Sequence, residues 1–202
     1  MDRYKYKNST VLSVFGGVFA LSGAAALIYQ VAWQRLLFLA FGVDLESVTV
    51  IVTVFMLGLG VGGMVGGFLA DKCRGQCFNL FLVGELLICI FGVLSPNLMK
   101  NLLSVYEPLL VFLSSFGLLL FPTLLMGATL PLLSVSLIDD GFVIGDAVGR
   151  LYYFNTLGAA LGCLLAGFLL FSYIGLKAAI YLAAALNAFA VFIGLVFVGA
   201  RK

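Results

Sequence analysis

The chain has 202 residues, of which 63% are hydrophobic and 10% charged, with a formal net charge of +2. A soluble domain carries about a quarter charged residues, so there is too little polar side chain here to coat a water-facing surface. The scattered basic residues exclude a nucleic-acid footprint. The sequence contains no histidine, which removes the commonest general base and metal ligand, so neither a metal nor a cofactor is expected.

Apolar runs separated by charged or turn-forming residues predict six membrane helices in one domain spanning 1–202, at roughly 10–38, 47–70, 77–95, 106–137, 149–171 and 176–199. Runs this long and continuous differ from the alternating ten-residue strands of a barrel, so the fold class is an all-α membrane protein.

In the first run, Val11 to Arg35 spans about 37 Å as a helix, more than the roughly 30 Å hydrocarbon core. Arg35 is therefore expected at the outer headgroup level, with Tyr29 and Trp33 as amphipathic ring anchors beneath it. Gln30, Gln34 and Arg35 fall within about a turn and a half, and Gln30 and Gln34 share a helix face. Two readings stand: a snorkelling interfacial anchor, or the outer mouth of a cavity.

The second run carries Gly58, Gly62 and Gly66 at every fourth position, with Gly63 and Gly67 as a second ridge; the fifth repeats the device with Gly158 and Gly162, followed by Ala166 and Gly167. Small residues at this spacing let helix backbones approach closely in lipid, so both faces are read as packing faces. In the third run, Glu85 lies midway with no other acidic or basic side chain near it. A carboxyl at that depth must face protein or water, or carry a proton. It either binds a cation or relays a proton, or it makes a structural hydrogen bond to a neighbouring helix. Asn155, Thr156 and Asn187 are further deep polar groups, read as interhelical hydrogen bonds, with Asn155 also a candidate solute ligand.

The fourth run contains "FPTLLMGATLP". Pro122 and Pro131 cannot donate to the carbonyls of Leu118 and Gly127, and Gly127 relieves the clash with the ring of Pro131, so a kink is expected. Asp44, Glu46 and Glu107 on the outer side, and Asp139, Asp140 and Asp146 in an inner loop, are read as solvated. Cys73, Cys77, Cys89 and Cys163 are read as unpaired structural thiols.

Sidedness follows from lysine and arginine. With the N-terminus inside, eight of the eleven basic residues (Arg3, Lys5, Lys7, Lys72, Arg74, Arg150, Arg201 and Lys202) are cytoplasmic, and Arg35, Lys100 and Lys177 are outside. Both termini are thus expected in the cytoplasm of a cell with this protein in its inner or plasma membrane. The apolar run passes "SGAAA" without a break, so no cleaved signal peptide is expected.

"SGAAALIYQVAWQRLL", "FMLGLGVGGMVGGFLADKCRG", "LLMGATLPLL" and "GRLYYFNTLGAALGCLLAGFLL" together resemble the membrane module of the fused transporter-like/spermidine synthase proteins, in the same order and over nearly the whole chain. That module is similar to half of a major facilitator superfamily transporter, and the resemblance implies a 3+3 inverted repeat. "GLGVGGMVGGFLAD" and "GAALGCLLAGFLLF" occupy corresponding places in the two halves, and "GAAAL" and "GATL" form a fainter pair. "GGFLADKCRG" resembles the superfamily's loop signature through Gly67, Leu69, Ala70 and Asp71; Lys72 replaces its first arginine, and Arg74 and Gly75 stand in swapped order.

The fused proteins continue into an aminopropyltransferase-like domain. Here no glycine-rich turn between a soluble strand and helix exists to carry that chemistry, so the chain is not expected to be an enzyme. Two functions remain. One is a half-transporter for a small solute, with a cationic one such as a polyamine among the candidates, completed as a homo-oligomer or with a partner. The other is a non-catalytic anchor or scaffold subunit of a larger complex.

Overall fold

The computed structural model describes residues 2–42, 44–102 and 107–201, and among these it contains helices and short turns but no strand. The side chains of Arg3, Lys5, Lys7, Asp44, Arg201 and Lys202, used above, lie outside the described ones. The helices are α1 (Asp2–Phe41), α2 (Asp44–Lys72), α3 (Cys77–Leu102), α4 (Pro108–Asp139), α5 and α6 (Gly175–Arg201). Helix α5 is α-helical over Ile144–Leu165, π-helical over Ala166–Leu170 and closes with one turn at Phe171–Tyr173. Six segments within these helices are long and apolar enough to cross a membrane.

The expected number of helices matches, but the end of the third differs for a physical reason. Helix α3 runs through Pro96 to Leu102 rather than stopping at 95. Pro96 cannot donate to the Gly92 carbonyl four residues back, and the Ser95 hydroxyl donates to that carbonyl instead, at 2.9 Å. Helix α4 is likewise continuous over Pro122 and Pro131. The chain leaves α1, α2, α4 and α5 through Gly42, Gly75, Gly141 and Gly175, all with φ between 73° and 94°, the left-handed conformation that ends a helix at least cost.

Helix α1 is the hub, packing on α5, α6 and α2, while α2 packs on α4 and α3 packs on α4 and α6. Glycine determines the tightest approaches. A Cβ on Gly62 would sit 2.1 Å from the Leu124 carbonyl oxygen, and one on Gly66 would sit 2.5 Å from Ala128 Cα. A Cβ on Gly58 would fall equally deep into Thr123. Across the bundle, a Cβ on Gly158 would lie 2.0 Å from the Ala20 oxygen and one on Gly162 2.4 Å from that of Ala24. Gly127 faces the Leu59 carbonyl at 2.5 Å on the same measure, so it serves the α2–α4 contact as well as relieving Pro131. Gly67, by contrast, has open space beside it.

Two aromatic-rich cores fill the interior. Tyr29 and Trp33 are 0% exposed and stack at 4.9 Å in the first core, so they are not the interfacial anchors expected above. They fit because Gly92 on α3 leaves room for the Tyr29 ring, and because Ser95 accepts the Trp33 indole N–H at 3.0 Å. In the second core, Phe15, Phe78 and Phe197 meet from three helices.

Gly62→Val must push α2 off α4 and is expected to lower stability by about 1–3 kcal/mol. Gly67→Val at the open position should leave stability close to unchanged, with thermal unfolding in detergent reading both.

Candidate functional site

A cavity of about 330 Å³ lies among α1, α2, α4 and α5. Its polar lining comes from Ser22 and Gln30 on α1, Thr129 on α4, and Tyr152 and Asn155 on α5, among apolar residues including Leu59, Met126 and Pro131. Tyr152 and Leu59 are exposed at its rim. Asn155 sits there because α5 approaches α1 at Gly23, where a Cβ would stand 2.2 Å from the Asn155 carbonyl oxygen. The Thr129 hydroxyl faces back along its own helix and donates to the Met126 carbonyl at 2.6 Å. No acidic or basic side chain lines this cavity.

Glu85 stands behind one wall of it. The carboxyl is wholly buried, with Oε1 accepting from the Ser22 hydroxyl at 2.5 Å and Oε2 accepting from Asn187 Nδ2 at 2.6 Å. Two donors on one buried carboxyl make a short-range clasp, and it joins α1, α3 and α6 at one point. The Tyr29 hydroxyl and Asn187 Oδ1 have no hydrogen-bond partner among the described protein atoms.

The structure divides the residues singled out in the sequence. Gln30 and Asn155 share the cavity. Gln34 and Arg35 line a different hollow of about 420 Å³ with Phe38 and Val48, so the three polar residues of α1 do not form one mouth. The exposed Arg35 places its guanidinium 5.9 Å from the Phe171 ring centroid, at the far end of α5 from Asn155. Of the deep amides, Asn187 holds Glu85.

In the α2–α3 turn, Asp71 and Arg74 are exposed and the Lys72 ammonium lies 4.4 Å from the Phe68 ring centroid. Asp146 is paired with Arg150 at 2.7 Å rather than simply solvated, a surface pair of small energetic weight. Cys73, Cys77, Cys89 and Cys163 are free thiols. Among the described residues no cluster has the ligands for a metal ion.

Sequence reasoning missed Ser22. A serine inside "ALSGAAAL" carries no signal of its own, and only its position relative to Glu85, 63 residues away, gives it meaning.

No protein-family model, no curated protein and no solved structure matches the chain. The site therefore has to be read from its own chemistry.

Glu85→Leu strands the buried Asn187 amide and Ser22 hydroxyl and is expected to cost about 1–3 kcal/mol for each group left unpaired. Glu85→Gln, which keeps an acceptor for one donor, should cost less. Unfolding in detergent under matched conditions checks the order.

Proposed function

We propose that this protein is one half of a membrane carrier, moving a small solute through the cavity that Gln30 and Asn155 line. The observation that carries the reading is the position of that cavity. Three close contacts between α1 and α5, Ala20 with Gly158, Gly23 with Asn155 and Ala24 with Gly162, have counterparts between α4 and α2: Leu124 with Gly62, Gly127 with Leu59 and Ala128 with Gly66. One shift, 104 residues forward from α1 to α4 and 96 back from α5 to α2, relates all three pairs.

Three-helix halves related in this way run in opposite senses across the bilayer, which is the inverted-repeat logic of carriers with a site at the repeat interface. The cavity lies on that relation: Gly23 and Gly127, Leu27 and Pro131, and Asn155 and Leu59 all line it in matched pairs. The contact register is one helical turn away from the register of the quoted glycine echo, which pairs Gly58 with Gly158.

The volume is at the lower end of ligand-sized cavities, and the lining offers amide and hydroxyl groups without charge. A small neutral solute that hydrogen-bonds suits it better than a polyamine, whose ammonium groups need carboxylates. The resemblance to a half-transporter and the expected cytoplasmic placement of both termini agree with this reading. The least buried span is α5, with 17% of its apolar window buried against 50% for α1. Its exposed Tyr152, Tyr153, Phe168 and Tyr173 favour a second copy or partner module on that side.

The test is flux of a labelled solute panel, neutral amides and polyols beside polyamines, into proteoliposomes of the purified protein. Gln30→Leu and Asn155→Leu each remove hydrogen-bonding capacity in the cavity and should lower flux of the preferred solute about tenfold. Wild-type liposomes no leakier than empty ones for every solute, with a stoichiometric partner recovered on gentle extraction, would instead establish the anchor function.

A further inference from the structure

Ser22 has two faces. It lines the cavity, and its hydroxyl donates to Glu85 Oε1, which is not itself part of the lining. We propose that Glu85 is a proton-exchange site loaded from the cavity through the Ser22 hydroxyl. The inference rests on the carrier reading in one respect, that the cavity admits water.

Among the described residues no salt bridge fixes the carboxyl in its ionised form. Along the helices packed against it, α4 has no titratable side chain from Leu109 to Ile138, and α6 has Lys177, Tyr181 and Arg201, all at least six residues from Asn187. Helix α1 offers Tyr29 and the distant Arg35, with Asp2, Arg3, Tyr4, Lys5, Tyr6 and Lys7 at its start, and α3 itself offers Cys89, with Cys77 and Lys100 near its ends. Burial without a countercharge works against the ionised form, and the two hydrogen bonds donated to the carboxylate work in its favour.

The same heavy-atom positions serve both forms. In the ionised form Ser22 and Asn187 both donate to the carboxylate. In the neutral form the new acid O–H donates to Ser22 Oγ, and Ser22 turns its own hydrogen to the cavity. Asn187 offers a second acceptor, because its Oδ1 has no protein partner and can be turned towards the acid.

Loading is a two-proton hop. A hydronium ion in the cavity gives a proton to a Ser22 Oγ lone pair, forming one O–H bond. The original Ser22 O–H bond breaks and its proton passes to a lone pair of Oε1. A neutral water, an intact hydroxyl and a carboxylic acid remain, and unloading is the reverse.

The experiment is infrared difference spectroscopy of the full-length protein in liposomes, following the carboxylic acid carbonyl band with pH and its shift on transfer to deuterium oxide. The wild type is expected to show a pH-dependent band that Glu85→Gln abolishes. Ser22→Ala should slow deuterium exchange of that band about a hundredfold, and Ser22→Thr, which keeps a hydroxyl, should restore it. Ala26→Leu, which adds bulk to the cavity lining one helical turn from Ser22, is expected to slow exchange as well and guards against a misfolded alanine variant.

Spectra of wild type and Glu85→Gln that coincide at every pH, or exchange in Ser22→Ala at the wild-type rate, would overturn the proposal. No solute enters the measurement. A Ser22-dependent band in a protein that moves nothing in the flux assay therefore sinks the carrier reading and leaves the proton site standing.

Discussion

Close backbone contact at glycine is the constraint on which the rest of this molecule depends. Within lipid, one apolar helix gains little by exchanging acyl chains for another apolar helix, and association comes from dispersion at short range and from a few polar contacts. Gly62 against Leu124 and Gly158 against Ala20 bring α2 to α4 and α5 to α1 with carbonyl oxygens where a Cβ would otherwise stand. The cavity is what remains between these two seams. Its dimensions are set by glycine positions on the seams as much as by the side chains that face it.

The polar interior follows a different logic. Among the described residues Glu85 is the one wholly buried carboxyl, and it is bonded by groups from two other helices. In a low-dielectric surrounding those bonds are stronger than their equivalents in water, and leaving either donor unmet is correspondingly costly. The clasp fixes how α3 and α6 meet beneath α1. Under the proposed carrier function, recognition falls to the neutral cavity lining and charge storage to the acid bonded behind Ser22.

Much of this was legible in the residues. Six helices follow from the length of the apolar runs, because a span of that length in lipid has no alternative to helix. The four-residue spacing of glycine marked the faces that meet, although not which helix each face would meet. Glu85 was conspicuous because a lone acid at that depth has to be explained. What was not legible depended on contacts across long sequence separations. Pro96 reads as a stop until Ser95 is seen to bond the carbonyl it frees. Tyr29 and Trp33 have the composition of an interfacial belt, and only the gap left by Gly92 shows that they point inward. Gln30 and Gln34 share a helix face, yet different neighbours place them in separate hollows.

The Glu85–Asn187 bond joins residues 102 apart, and Asn187 lies on α6, which is made after α3. A chain emerging N-terminus first therefore presents its acid before the amide that completes its shell has been made. Until α6 arrives, α3 offers an incompletely sheltered carboxyl at mid-membrane.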